Sequence, residues 1–122
     1  MTWKSAFVRM KRDRIDAISV DAGLYQYRKL IFELVERSRL PAVYGNNTWV
    51  SEGGLVSYSG DWRDIVRRAG SYAGRILKGA RPADLPVEQP PRFSLAINLK
   101  TAKAQGLTIP QSLLLRADQM IQ

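Results

Sequence analysis

Hydrophobic positions along the chain follow two different periods, which is typical of a protein that contains both strands and helices. Short apolar runs at 15–20, 41–45, 55–58 and 93–97 are bounded by glycine, proline, asparagine or charged residues, and each predicts a strand. Between the first two runs, apolar residues recur every three or four positions over 24–39, which predicts an amphipathic helix. Strand, helix and strand with short links predict a βαβ unit and a parallel sheet.

The clearest predicted helix covers residues 61–80. Asp61 suits its N-cap, and Gly79 stands where a left-handed C-terminal cap belongs. Asp61 and Asp64 also have the spacing of a paired-carboxylate site, but the same spacing suits helix capping, which we favour. The apolar stripe of this helix consists of Ile65, Val66, Ala69, Tyr72, Ala73, Ile76 and Leu77.

The remaining segments are shorter. Residues 4–14 suit a basic amphipathic helix, and the four prolines of 80–91 predict a stiff, extended connector. Asn98 can begin a short helix that Gly106 ends, and Pro110 can open a last helix. Four apolar residues of that last helix are expected to face the core, namely Leu113, Leu114, Ala117 and Ile121.

The amino-acid composition limits the kinds of site that the protein can contain. The 122 residues suit one domain, and 45% hydrophobic with 25% charged residues is an ordinary globular mixture. The absence of cysteine and histidine excludes disulfides, thiolate metal sites and a Ser-His-Asp triad. We therefore expect that the protein is not an enzyme, that it has no catalytic residues, and that it binds neither a metal nor a cofactor. No apolar run approaches the roughly 18 residues that span a bilayer.

The formal net charge of +8 leaves a second hypothesis open. Basic residues concentrate at 4–14 and again at 63–81, which would suit contact with phosphates. No base-stacking aromatic motif accompanies them, so a solvated surface is the favoured interpretation and no nucleic acid is expected as a partner. The alternative is a small basic nucleic-acid-binding or regulatory α/β module, which would bind DNA in a strongly salt-dependent manner.

Three stretches resemble one known family. They are LPAVYG at 40–45, GGLVSY at 53–58, and ILKGARPADLPVEQP at 76–90, which continues through NLKTAK at 98–103 and GLTIP at 106–110. Together they resemble the C-terminal part of ABC-transporter substrate-binding proteins, in the group that includes tryptophan/tyrosine-type binders. The similarity runs from about Ile15 to Ile121, and the last stretch is its most specific part.

The resemblance implies a type I periplasmic-binding-protein fold, in which ligand lies between two α/β lobes. The chain would be a single C-terminal lobe-like domain over residues 1–122, with a parallel sheet in a three-layer arrangement. Its lobe core would comprise 1–54 and 92–122, and 55–60 and 82–91 would be hinge crossings. The helix at 61–80 would cross to pack on a missing or partner lobe. Full members would also carry an N-terminal lobe and an export signal, and we expect neither within these 122 residues.

The function implied by the resemblance is solute capture for an ABC import system. A small organic solute, with an amino acid as one candidate, would be held by hinge closure in the full-length form, and a permease would be the membrane partner. The stripe residues Ile65, Ala69, Tyr72 and Ile76 would be exposed without the other lobe, so we expect a homo-oligomer through 61–80. The implied location is the periplasm. Residues 1–8 do not form a signal peptide, which leaves the cytoplasm open for the chain as written.

Ligands of open parallel sheets lie beyond the carboxyl ends of the strands. This rule selects the strand ends at 21–23, 45–47 and 57–58, which coincide with the cleft that the resemblance implies. Gly53 and Gly54 are added because they could let the backbone approach a ligand. The candidate ligand-binding residues are Asp21, Ala22, Tyr44, Gly45, Asn46, Gly53, Gly54, Ser57 and Tyr58.

Several of these candidates have an equally ordinary structural explanation. Asp21 could receive an ammonium group or cap the following helix, and one carboxylate can do both. Asn46 could bind a polar ligand group or occupy a left-handed turn. Gly53 and Gly54 are better explained as a hinge than as a place where a ligand approaches the backbone. Tyr44 lies at the end of a strand and is better explained as a core residue. Trp49, in a polar loop, is the better candidate for an exposed aromatic.

Overall fold

The computed structural model describes residues 2–122, so Met1, at which the predicted domain begins, lies outside the described residues. A five-stranded sheet with flanking helices forms its framework. The strands are β1 (Ile18–Val20), β2 (Ala42–Tyr44), β3 (Val56–Gly60), β4 (Phe93–Asn98) and β5 (Gln119–Ile121). The helices are α1 (Trp3–Arg12), α2 (Arg28–Ser38), α3 (Asn47–Ser51), α4 (Trp62–Leu77), α5 (Leu99–Ala104) and α6 (Gln111–Leu114). Short 3-10 helices occupy Ala22–Tyr27 and Pro82–Asp84.

The sheet has the order β1-β2-β3-β4-β5 and is mostly parallel. Val20 of β1 lies opposite Tyr44 of β2, and Tyr44 lies opposite Ser57 of β3 in parallel register. The β4–β5 pair is also parallel, with Ile97 opposite Met120. The predicted α/β class with a parallel sheet is therefore confirmed for these pairs.

One strand pair runs antiparallel. The amide of Asn98, at the end of β4, donates to the carbonyl of Leu55 at the beginning of β3 (2.8 Å). The amide of Asp61, just after β3, donates to the carbonyl of Arg92, just before β4 (3.4 Å). The two strands therefore point in opposite directions, and the sheet is mixed.

The described chain divides into two compact units. One comprises the residues up to Ser59 together with Ser94–Gln122, and the other comprises Gly60–Phe93. The first unit contains most of the sheet and the buried core, and the second contains α4 and the proline-rich segment. The assignment of 55–60 and 82–91 as hinge crossings concerns a longer protein and stays a prediction.

An aromatic cluster forms the centre of the first unit. Trp49 is 0% exposed and stacks on Tyr44 with ring centroids 5.0 Å apart, while Tyr25 and Phe32 meet it edge-on. The prediction that Trp49 is exposed is therefore wrong. Its loop contains the short helix α3, whose single turn directs the indole inward, where burial of so large an apolar surface strongly favours the fold.

The C-terminal helix is shorter than predicted. It ends at Leu114, and β5 follows instead of a helix through Ile121. Two hydrogen bonds of 2.8 Å fix this segment to β4: the Asp118 amide donates to the Leu95 carbonyl, and the Leu95 amide donates to the Asp118 carboxylate. Leu113 is consequently exposed, not buried.

Helix α4 begins as predicted but turns a different face outward. The Asp61 carboxylate accepts from the amides of Arg63 and Asp64, which confirms its capping role, and Gly79 has the expected positive φ of 106°. Ile65 and Tyr72 are half-buried, and the Tyr72 hydroxyl donates to the Pro86 carbonyl (2.5 Å). The prediction of exposure is therefore wrong for Ile65 and Tyr72, because the proline-rich segment covers them.

The other two residues of that stripe are exposed to solvent. Ala69 and Ile76 are exposed, as predicted. Ala69 nevertheless borders a cavity that Gln89 and Pro90 of the proline-rich segment also line.

Candidate functional site

The carboxyl ends of β1 and β2 bring two loops into direct contact. The Gly45 amide donates to the Val20 carbonyl (3.0 Å), which extends the strand pairing by one step. A Cβ atom on Gly45 would lie 2.5 Å from the Ala22 amide nitrogen, so only glycine fits there. The segments Asp21–Ala22 and Gly45–Asn46 therefore adjoin at one edge of the sheet, as the topology predicts.

Asp21 combines a structural role with an open acceptor. One carboxylate oxygen accepts a hydrogen bond from the Gly23 amide (2.7 Å) and caps the 3-10 helix at Ala22–Tyr27. The side chain is exposed, and its second oxygen has no hydrogen-bond partner among residues 2–122. The capping interpretation is confirmed, and the second oxygen is open to solvent or to a cationic group.

Asn46 has an extended backbone (φ −160°, ψ 168°), so the left-handed turn interpretation is wrong. It caps α3, because its side-chain oxygen accepts from the Thr48 amide (3.1 Å). The side-chain NH₂ group has no partner in the part of the chain that the structure describes. This edge of the sheet therefore offers an open donor on Asn46 close to an open acceptor on Asp21.

Ser57 and Tyr58 lie on β3 and point to opposite faces of the sheet. Ser57 is fully buried, and its hydroxyl donates to the Asn47 side-chain oxygen (2.7 Å); the Asn47 NH₂ group donates to the Ser94 hydroxyl (3.0 Å). Tyr58 is 59% exposed and lies one residue beyond the Tyr44–Ser57 pair, which brings it beside Gly45.

Asn47 is the residue of this edge that sequence reasoning missed. Its amide connects β3 to β4 through Ser57 and Ser94, so it holds the carboxyl edge together. A second polar residue directly after the candidate Asn46 is the signal that the sequence offers for this role.

The other predicted residues lie elsewhere. Tyr44 is buried in the aromatic cluster, and burial raises the pKa of its phenol to about 12. Gly53 and Gly54 precede β3 and lie at its amino end, which is the opposite edge of the sheet from Gly45. A Cβ atom on Gly54 would lie 2.8 Å from the Tyr44 ring, so this glycine serves core packing.

A polar cluster fixes the loop that follows Asp21. The Tyr25 hydroxyl donates to one oxygen of Glu52, and the Arg28 guanidinium donates to the other (2.6 Å). The guanidinium also lies 4.4 Å from the centre of the Tyr25 ring. The hydrogen bond from Tyr25, followed by that from Arg28, lowers the pKa of the Glu52 carboxyl. The 3-10 helix after Asp21 is thereby tied to the end of α3.

Some of the basic side chains form ion pairs with neighbouring carboxylates. Asp64 pairs with Arg68 (2.9 Å), and Arg68 also pairs with Glu88, while Arg81 pairs with Asp84 (2.8 Å). The basic residues of α4 and of the proline-rich segment are thus partly neutralised. Within residues 2–122, no cluster of three or more aspartates and glutamates has the arrangement of a metal site.

Comparison with known proteins decides the family. Residues 8–121 match the family model of ABC transporter substrate binding proteins. The chain belongs to this family. None of the helices in the described part of this family member has the length and apolarity needed to cross a membrane. Members of the family are typically periplasmic or extracellular and bind substrates without catalysis.

Solved structures show the same fold over nearly the whole chain. An ABC domain from Streptococcus pneumoniae, solved in complex with L-Trp, is 31% identical with a TM-score of 0.83, covering 97% of this chain and 41% of that chain. A conserved domain protein from Vibrio cholerae is 24% identical with a TM-score of 0.85, covering 96% and 40%. An open, ligand-free substrate binding protein with adhesive properties from Clostridium difficile is 17% identical, with a TM-score of 0.63 and coverage of 99% and 42%.

No curated protein matches this substrate-binding family member significantly. The chain spans about two fifths of the length of the solved structures that it matches. The predicted resemblance and the partial-lobe interpretation are therefore confirmed, and the family match favours the solute-binding hypothesis over the nucleic-acid-binding alternative.

Proposed function

We propose that the carboxyl edge of the sheet is one half of a solute-binding site for an amino-acid-like molecule, used in an ABC import system. The observation that carries this proposal is the juxtaposition of two open polar groups on adjoining loops. The free Asp21 oxygen can accept from an ammonium group, and the free Asn46 NH₂ group can donate to a carboxylate. An α-amino acid presents both groups on neighbouring atoms.

Two further features support an amino acid with a flat side chain. The exposed Tyr58 ring beside Gly45 provides a stacking surface. The relative from Streptococcus pneumoniae is described in complex with L-Trp at 31% identity, which makes an aromatic amino acid the first candidate. Ser57 serves this site indirectly, since its hydroxyl holds Asn47.

The proposed mechanism is hinge closure in a longer form of the protein. A second lobe would cover the edge that carries Asp21 and Asn46, burying most of the solute without making or breaking bonds. The closed form would then present a different surface to the membrane permease, in the periplasm or outside the cell. Family membership supports this sequence of events.

Isothermal titration calorimetry with single L-amino acids tests the proposal on the 122-residue chain. We expect weak, saturable binding, because only half of a cleft is present. We expect Asp21→Asn to weaken it by at least about ten-fold, since hydrogen bonds to charged groups contribute about 1.5–3 kcal/mol. Asp16→Asn is the matched control, because Asp16 is an exposed carboxylate outside the edge.

Two results would count against the site. Binding that Asp21→Asn and Asp16→Asn reduce equally would show only a non-specific charge effect. An absence of any heat change with all twenty amino acids would reject an amino-acid-like ligand for this edge.

We also propose that two copies associate through α4. Exposed residues of α4 include Trp62 (68% exposed) at one end and Leu77 (88% exposed) at the other, with the small residues Ala69 and Ala73 between them. In an antiparallel pair the Trp62 of one copy would meet the Leu77 of the other, and the small residues at the centre would allow close approach.

The charges along α4 do not select the orientation of this pair. Asp61 and Asp64 lie at its beginning together with Arg63, Arg67 and Arg68, and Asp64 already pairs with Arg68. A missing lobe of a longer protein would compete for the same face.

A further inference from the structure

A second cavity lies at the opposite edge of the sheet from the proposed solute site. It has a volume of about 470 Å³ and is bounded by the end of α2, the Glu52–Gly53 turn and one side of α5. Its apolar wall is formed by Phe32, Val35 and Tyr44. All these elements belong to the first compact unit, so the cavity depends on no other part of the chain.

Two cations at this cavity have no acidic partner. Arg39 at the end of α2 and Lys100 at the start of α5 both line it, and neither forms an ion pair within residues 2–122. Of the two carboxylates at the same cavity, Glu52 is engaged by Arg28 and Tyr25, which leaves Glu36. The open charge around the cavity is therefore net positive.

Arg39 is also held in an unfavourable backbone conformation. It has φ 51° and ψ 32°, in the left-handed region where glycine is the least strained residue. A glycine would end α2 with less strain, whereas an arginine adds a cation at the cavity. Strained residues of this kind are enriched at binding sites.

The lining of the cavity defines the complementary ligand. The two cations without ion-pair partners suit an anionic group, and the wall formed by Phe32, Val35 and Tyr44 suits an aromatic ring.

We propose that this cavity is a second binding site, distinct from the solute edge, for a small aromatic carboxylate. Arg39 and Lys100 bind the carboxylate, and the ring packs against Phe32 and Val35. Such a site would let the protein bind a second molecule independently of the solute that it captures.

A two-dimensional ¹⁵N–¹H NMR titration tests this site on the whole chain with 4-hydroxyphenylacetate as the probe. We expect saturable shifts of the amides of Gly53, Thr101 and Ala104, with the millimolar affinity usual for a ligand of this size. The amides of Gly45 and Asn46, at the other edge, should not shift. 4-Hydroxyphenylacetamide, which lacks the charge, should bind several-fold more weakly.

The variants separate binding from folding. Arg39→Met with Lys100→Met should weaken binding at least ten-fold, and Lys103→Met, on the same helix but outside the cavity lining, should leave it unchanged. Arg39→Gly should weaken binding while raising the melting temperature, because it relieves the backbone strain.

Three outcomes would overturn the second site. They are an absence of saturable shifts, shifts confined to Gly45 and Asn46, and equal affinity in the double variant and in Lys103→Met. The proposed solute site is not affected by these outcomes, since Asp21 contributes nothing to this cavity.

Discussion

Tyr44 is the residue whose environment makes the sharpest pH prediction. Burial raises the pKa of its phenol to about 12, above the ordinary value of about 10, so the folded state keeps the proton that the unfolded state loses. The free energy of unfolding should therefore fall as the pH rises from about 10 to about 12, by about 2–3 kcal/mol from this group.

Urea unfolding of Tyr44→Phe and of the parent chain across this pH range measures the effect. The variant should lose less stability than the parent between pH 10 and 12, whereas Tyr27→Phe, on an exposed ring, should behave like the parent. Parallel pH profiles for Tyr44→Phe and the parent would contradict the account of this core.

Gly45 makes a second prediction at the residue scale. Gly45→Ala forces a Cβ atom to within 2.5 Å of the Ala22 amide nitrogen, so a loop must shift, at a cost of about 1–3 kcal/mol. Gly70→Ala is the control, because nothing lies within 4 Å of its added Cβ and α4 should gain up to about 1 kcal/mol. Chemical denaturation measures both, and a Gly45→Ala variant as stable as the parent would show that the two loops do not adjoin as described.

Sequence reasoning at the residue scale succeeded where a local rule applies. Asp21, Asp61 and Asn98 all cap helices as predicted, because capping depends on residues two or three positions away. The prediction for Trp49 was wrong, because the direction of its side chain depends on a helix of five residues. A helix this short shows no hydrophobic period in the sequence. The opposite placement of Gly53 and Gly45 follows from the predicted parallel strands, because Gly53 precedes the strand at 55–58 and Gly45 ends the strand at 41–45.

Among the elements, the Asn47 bridge between β3 and β4 is the most vulnerable contact. Asn47→Ala removes the acceptor of the buried Ser57 hydroxyl and the donor to Ser94, and should cost about 1–3 kcal/mol. A double-mutant cycle with Ser57→Ala measures the coupling, and Ser57→Ala should cost much less in the Asn47→Ala background. Strictly additive costs would mean that the two side chains do not act together.

The boundaries of helices and strands were predictable where local residues determine them and unpredictable where long-range contacts do. The strands at 55–58 and 93–97 and the helix at 61–80 were predictable because their apolar period and their terminal residues agree. Strand β5 was not, because the local pattern of Leu113 and Leu114 suits a helix while the Asp118–Leu95 hydrogen bonds form only in the folded chain.

At the scale of the whole molecule, the open face of α4 predicts association. Sedimentation equilibrium should show a dimer whose population rises with concentration. Ala69→Glu, near the centre of an antiparallel pair, should raise the dissociation constant at least ten-fold, because two carboxylates would be brought together without partners. Ala83→Glu, in the exposed proline-rich segment, is the matched control. A monomer at all concentrations, or equal effects of the two variants, would contradict this pairing.

The central claim is that the edge formed by Asp21, Ala22, Gly45 and Asn46 is half of a solute-binding site. The most direct test is a ¹⁵N–¹H NMR titration of the whole chain with individual L-amino acids, which locates binding residue by residue. The account predicts saturable shifts of the Ala22, Gly45, Asn46 and Tyr58 amides that Asp21→Asn greatly reduces. Saturable shifts that leave these four amides unmoved would contradict it.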